Sequence, residues 1–114
     1  MSVKLKRAYD PAEANDGQRI LVDRLWPRGL SKDKAQLDEW NKDVAPSPEL
    51  RQWFNHKPER FSEFRQRYLL ELSHNSAAKE LAESSQKQTI TLIYAVQDEK
   101  HNHALVLKEF LEKQ

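Results

Sequence analysis

The sequence predicts a single three-layer α/β domain over residues 1–114, with a mainly parallel central sheet of three to four strands flanked by helices. Three observations carry this expectation. Ile20-Leu21-Val22 is a short apolar run bounded by turn signals, which suits a strand covered on both faces. Ile90, Leu92, Ile93 and Tyr94 give residues 89–96 the composition of a central strand. Apolar residues at helical spacing fill the interval between them and return afterwards. Strand, strand, helices, strand, helix is the order of parallel strands joined by helical crossovers.

Taken in order, Val3, Leu5, Arg7 and Tyr9 alternate with Lys4, Lys6 and Ala8, the period of a half-buried strand. Asp10-Pro11 and Asn15-Asp16-Gly17 are turn signals, so a loop leads to the Ile20 strand. Pro27 and Gly29 then break regularity, Gly29 by permitting a backbone angle that other residues avoid. Ser31 is placed to cap a short helix over residues 31–36. Residues 37–44 stay open. Leu37, Trp40 and Val44 fit a helix, and a short extended edge segment fits equally. Ser47-Pro48-Glu49 is a helix start, with Leu50, Trp53 and Phe54 on the apolar face. Pro58 opens a longer helix through Phe61, Phe64, Tyr68, Leu69 and Leu72. Asn75 caps a third with Ala78, Leu81 and Ala82 inward. The last helix turns Ala104, Leu107, Phe110 and Leu111 to the core.

Composition narrows the function classes. A chain of 114 residues buries roughly two-thirds of its unfolded surface, enough for one core. The formal net charge is +1 with both signs interspersed, which argues against nucleic acid as a partner. Cysteine is absent, excluding disulfides, thiolate nucleophiles and Cys-ligated zinc. No apolar run approaches the roughly 20 residues of a membrane span and no signal peptide opens the chain, so a cytoplasmic protein without membrane contact is expected.

In open parallel sheets, ligands bind beyond the carboxyl ends of the strands. Two segments fall there. In Asp23-Arg24-Leu25-Trp26-Pro27-Arg28-Gly29, both arginines offer planar donor forks suited to phosphate or carboxylate. The competing reading is an internal ion pair of Asp23 with an arginine. The second segment is Asp98-Glu99-Lys100-His101-Asn102-His103. Counting back by fours from Leu111 and Leu107 puts His103 on the inward helical face, while His101 points elsewhere and is expected to be solvated. The two histidines cannot share a helical face, so no metal site is expected. With two glycines in the chain there is no Gly-rich phosphate loop, and no cofactor is expected.

The same segments carry a resemblance. Lys6-Arg7-Ala8-Tyr9-Asp10, residues 21–29, Leu37-Asp38-Glu39-Trp40, residues 42–47 and Asn102-His103-Ala104 together resemble the YeaO-like bacterial proteins, within the domain of unknown function 488 family. The resemblance implies an α/β fold and a bacterial cytoplasmic protein, without an established activity, and favours an extended form for residues 37–44. A related branch carries Cys-His-Arg where this chain has Asn102-His103-Ala104. Only the histidine carries over, so a thiol mechanism is not available here.

The preferred expectation is an enzyme, or a domain derived from one, acting on a small anionic molecule such as a nucleotide or sugar phosphate. Arg24 and Arg28 would hold the anion and His103 would serve as general acid or base, with Asp23 orienting one of them. Trp26, Lys42, Asp43 and Asn102 would complete the pocket. The alternative is a non-catalytic protein that uses the same pocket to sense a ligand or dock a partner.

Overall fold

The computed structural model describes residues 2–114. Its strands are β1 (Val3–Arg7), β2 (Gln18–Leu21), β3 (Glu39–Trp40) and β4 (Ile90–Tyr94). They form one sheet in the order β1-β4-β2-β3, every neighbouring pair parallel. The helices are α1 (Lys32–Ala35), α2 (Pro48–Phe54), α3 (Phe61–Ser73), α4 (Ser76–Lys87) and α5 (His103–Glu112). The expected three-layer α/β architecture is present, with the Ile20 and Ile90 strands adjacent and interior.

The burial of β4 explains its place. All of its residues are buried, because alternate side chains serve two cores. Leu92 lies in register between Leu5 and Ile20, and this face packs against α3, α4 and α5. Ile93 points the other way, between Lys6 and Leu21, beneath Trp26, Leu30, Leu37 and Trp40. Ser31, Ser47, Asn75 and Asn102 each accept the backbone N–H three residues ahead and so fix where four helices begin.

The second face is covered more thinly, by α1 and the loops around it. A buried ionic cluster ties this cover down. The Arg19 guanidinium donates to the carbonyls of Ala35 and Gln36 and pairs with Asp16 at 2.7 Å, while Lys6 reaches the same carboxylate at 2.9 Å. Burial alone would raise the Asp16 carboxyl, but hydrogen bonds from Lys6, the Glu13 backbone and Arg19 outweigh it and hold its pKa at about 2. At Gly17, with φ +66°, a Cβ would sit 2.2 Å from the Thr89 carbonyl oxygen, so only glycine fits. Gly29 adopts the positive φ expected of it, +77°, in open space.

Residues 37–44 are extended and then turned. Asp38 closes on Arg19 through both N–H groups, backbone nitrogen to carbonyl oxygen one way and to carboxylate the other. That pairing sets the edge strand β3, and a 3-10 turn over Lys42–Val44 then buries Val44 completely. The spacing of Leu37 and Trp40 reflects packing on the second face, not a helix.

Candidate functional site

The strands β2 and β4 end side by side. Val22 N–H donates to the Ile93 carbonyl, and the chain then leaves the sheet at Asp23 and Ala95. Asp23 joins the two exits. Its Oδ2 accepts the Ala95 N–H at 3.0 Å, and its backbone carbonyl accepts the Trp40 indole N–H at 2.7 Å. Arg7 holds the other side of the β4 exit by donating to the carbonyls of Ala95 and Val96 at 2.8 and 3.1 Å.

His103 opens α5 directly above this junction. Asn102, almost wholly buried, sets the helix start: its Oδ1 accepts from Leu105 N–H and its Nδ2 donates to the Asp98 carbonyl, each at 2.9 Å. The His103 ring therefore projects over Asp23, with Nε2 and Oδ1 2.9 Å apart and both side chains about one-seventh exposed. The approach is that of an ion pair, but it lacks the alignment of a hydrogen bond, so neither atom has a directed partner. The other ring nitrogen, Nδ1, makes no hydrogen bond within the described residues, and the residue lines a cavity.

That cavity has a volume of about 280 Å³. Asp23, Arg24, Arg51, His56, His101 and His103 are its polar lining. Phe54, Phe64, Pro46 and Val96 give it an apolar lining, Phe54 and Phe64 being stacked with centroids 4.3 Å apart. Arg24 donates to the Pro46 carbonyl at 3.1 Å, while its Nε is buried without a protein partner. The Pro46 segment is fixed independently. Glu71 accepts from Ser47 N–H at 3.0 Å and Oγ at 2.6 Å, and the Tyr68 hydroxyl donates to the Val44 carbonyl. Burial, then the nearby Glu71 and Asp23 carboxylates, push the Tyr68 phenol up, so it stays a donor.

The expected site residues divide. Asp23, Arg24, Asn102 and His103 meet at the cavity, although both ends of the Asn102 amide are engaged in capping. Arg28, Trp26 and Lys42 do not line it. Arg28 is exposed and its carbonyl accepts the Tyr9 hydroxyl; Trp26 donates to the Leu30 carbonyl and meets Trp40 edge-on. Lys42 sits over the Trp40 ring, 4.2 Å from its centroid. His101 is half-buried instead of solvated, its Nδ1 3.0 Å from Asp98 and its ring edge-on to Phe61. The Lys100 N–H, then the His101 ring against opposing burial, hold the Asp98 carboxyl below its usual range.

Arg51 and His56 were not legible as site residues. Arg51 lies three before Phe54 on one helical face, which is the signal that was there to read. His56 enters through a left-handed turn at the end of α2, with φ +47° at Asn55 and +54° at His56. Among the described residues no group of three or more His, Cys, Asp or Glu is placed to hold a metal, and no helix is long and apolar enough to cross a membrane.

Residues 2–114 match the family model described as the inactive DUF488-N3 subclade. The chain is 49% identical over 112 residues to the uncharacterized protein YeaO of Escherichia coli K12, covering 97% of each. It is 44% identical over 109 residues to the uncharacterized proteins Mb3100c of Mycobacterium bovis and Rv3073c of Mycobacterium tuberculosis, covering 96% of this chain and 92% of each relative. No solved structure matches it.

Proposed function

Because the chain belongs to the inactive DUF488-N3 subclade, we propose that it is an enzyme-derived binding domain that takes a small phosphate- or carboxylate-bearing anion into this cavity without turning it over. The observation that carries the reading is Arg24, which lines the cavity with one terminal nitrogen on the Pro46 carbonyl and its Nε buried without a protein partner. A buried donor left unpaired costs about 1–3 kcal/mol, and more when charged. An anionic oxygen on the guanidinium's other nitrogens offsets that penalty with a charge-assisted bond. The position supports the same reading, since the carboxyl ends of parallel strands are where such sheets take ligands. The absence of turnover accords with the subclade's description. It accords also with Asn102 and Ala104, which stand where the related branch has Cys and Arg.

One observation favours a second reading, acid–base catalysis by His103. A histidine set against a carboxylate, with its other nitrogen unbonded at a cavity, is the arrangement a general base requires. A thermal-shift screen of anionic metabolites followed by calorimetry tests both readings. Arg24→Ala is expected to weaken the best hit by about tenfold to a hundredfold, and His103→Gln to leave affinity nearly unchanged. If NMR shows the bound hit being converted by wild type and not by His103→Gln, the catalytic reading replaces the binding one. If no anion binds wild type at millimolar concentration, both readings fail.

A further inference from the structure

We propose that the ligand of this cavity is a phosphate monoester with a compact apolar body, its phosphate gripped by Arg51 and His56 as well as Arg24. The inference rests on the anion reading above and specifies the ligand's charge and its body.

The charge follows from the wall. Two guanidiniums, Arg24 and Arg51, and three imidazoles, His56, His101 and His103, face the cavity against one carboxylate, Asp23. That carboxylate is already engaged by the Ala95 N–H and His103. Arg51 has no ion pair and no side-chain hydrogen bond among the described residues. A monocarboxylate can pair with one guanidinium and leaves the other without a ligand oxygen. A phosphate monoester carries nearly two charges at neutral pH and three acceptor oxygens, enough to meet both guanidiniums.

His56 adds an independent observation. It is a non-glycine residue held in left-handed backbone directly after another, an arrangement that costs energy and clusters at functional sites. The turn carries His56 to the cavity, where its imidazole can donate to a phosphate oxygen.

The body follows from what the wall lacks. No Ser, Thr, Tyr, Glu or Gln side chain lines the cavity, and both amide ends of Asn102 are committed to the helix cap. Sugar hydroxyls would find few partners there and would lose hydrogen bonds to water on entry. What faces the ligand instead is the stacked Phe54 and Phe64, with Val96 and Leu25. The volume of about 280 Å³ holds on the order of nine waters and lies just under the range of drug-sized pockets, so the body is small. A sugar phosphate, admitted by the sequence alone, fits this wall poorly.

The test is calorimetric titration of the full chain with phenyl phosphate, benzoate, ribose 5-phosphate and inorganic phosphate. Phenyl phosphate is expected to bind at least tenfold more tightly than each of the others. Arg51→Gln, at an exposed position, should melt like wild type yet lose the preference for phenyl phosphate over benzoate. His56→Gln should lose part of it. The inference is overturned if benzoate, ribose 5-phosphate or inorganic phosphate matches phenyl phosphate, or if Arg51→Gln keeps the preference. Those results leave anion binding itself standing. Silence of all four probes overturns the inference as well, and silence of the whole anion screen removes the reading beneath it.

Discussion

Asp23, at the exit of β2, and His103, at the start of α5, face each other across 2.9 Å, with one oxygen of the carboxylate spent on the Ala95 N–H and the other turned to the imidazole. Asp23 therefore has two duties, joining β2 to β4 and setting the electrostatic surroundings of the ring. A substitution that separates the two duties tests whether the second is real.

Asp23→Asn keeps an acceptor for the Ala95 N–H and removes the charge. Combined with His103→Gln in a double-mutant cycle by urea unfolding, the pair should show a coupling between about 0.5 and 3 kcal/mol. A coupling of zero would mean that the close approach carries no energy and that His103 is held by the helix start alone.

Acid should weaken the protein in a defined window. The Asp16 carboxyl lies at about 2 in the fold against an ordinary 3.8, for the reasons already given. Glu109 also lies at about 2, against 4.5, because Arg65 and then Lys113 hydrogen-bond its carboxylate. Both are depressed on folding, so the stability they contribute is present above their ordinary values. It is lost as pH falls from about 4.5 toward 2. Melting temperature followed across that window should drop. Asp16→Asn should flatten part of the drop and cost about 3 kcal/mol at neutral pH, since it removes the countercharge of the buried Arg19.

The turn after α2 offers a trade between stability and binding. Left-handed backbone costs an ordinary residue roughly 1–2 kcal/mol, partly offset by the greater freedom glycine has in the unfolded chain. His56→Gly should therefore raise stability by up to about 1 kcal/mol while weakening phenyl phosphate. Asn55→Gly, at the neighbouring left-handed position outside the cavity wall, should give the stability gain alone. Equal effects of the two substitutions on binding would show that the turn, and not the imidazole, matters.

The parts of the fold legible in the sequence are those where one physical demand dominates. The runs at Ile20 and Ile90 had to be interior because both faces of their strands are apolar, and Ser31, Ser47 and Asn75 cap where a polar side chain precedes a helical pattern. His103 was reachable by counting turns back from Leu107. Arg19 and Asp16 were not legible as core residues, because each is buried only through partners distant in the chain. The same is true of the site. Asp23 and Arg24 stay at the sheet rim where their strand leaves them, but the loop then bends over the second face and takes Trp26 away from the cavity. Arg51 and His56 enter from α2 and the turn that follows it, where Phe54 stacks on Phe64, a contact no local pattern announces.

The cap at Asn102 limits what this position can become. Its amide closes the first turn of α5 from both sides, and the residue is almost wholly buried. Replacing it with cysteine, the residue of the related branch, would remove the cap at a cost typically near 1 kcal/mol. It would also leave the Asp98 carbonyl and the Leu105 N–H without those partners, and Ala104 would still stand where that branch has arginine. The substitution that would introduce a thiol here therefore first loosens the helix that would have to aim it, so thiol chemistry at this position starts from a loss of stability.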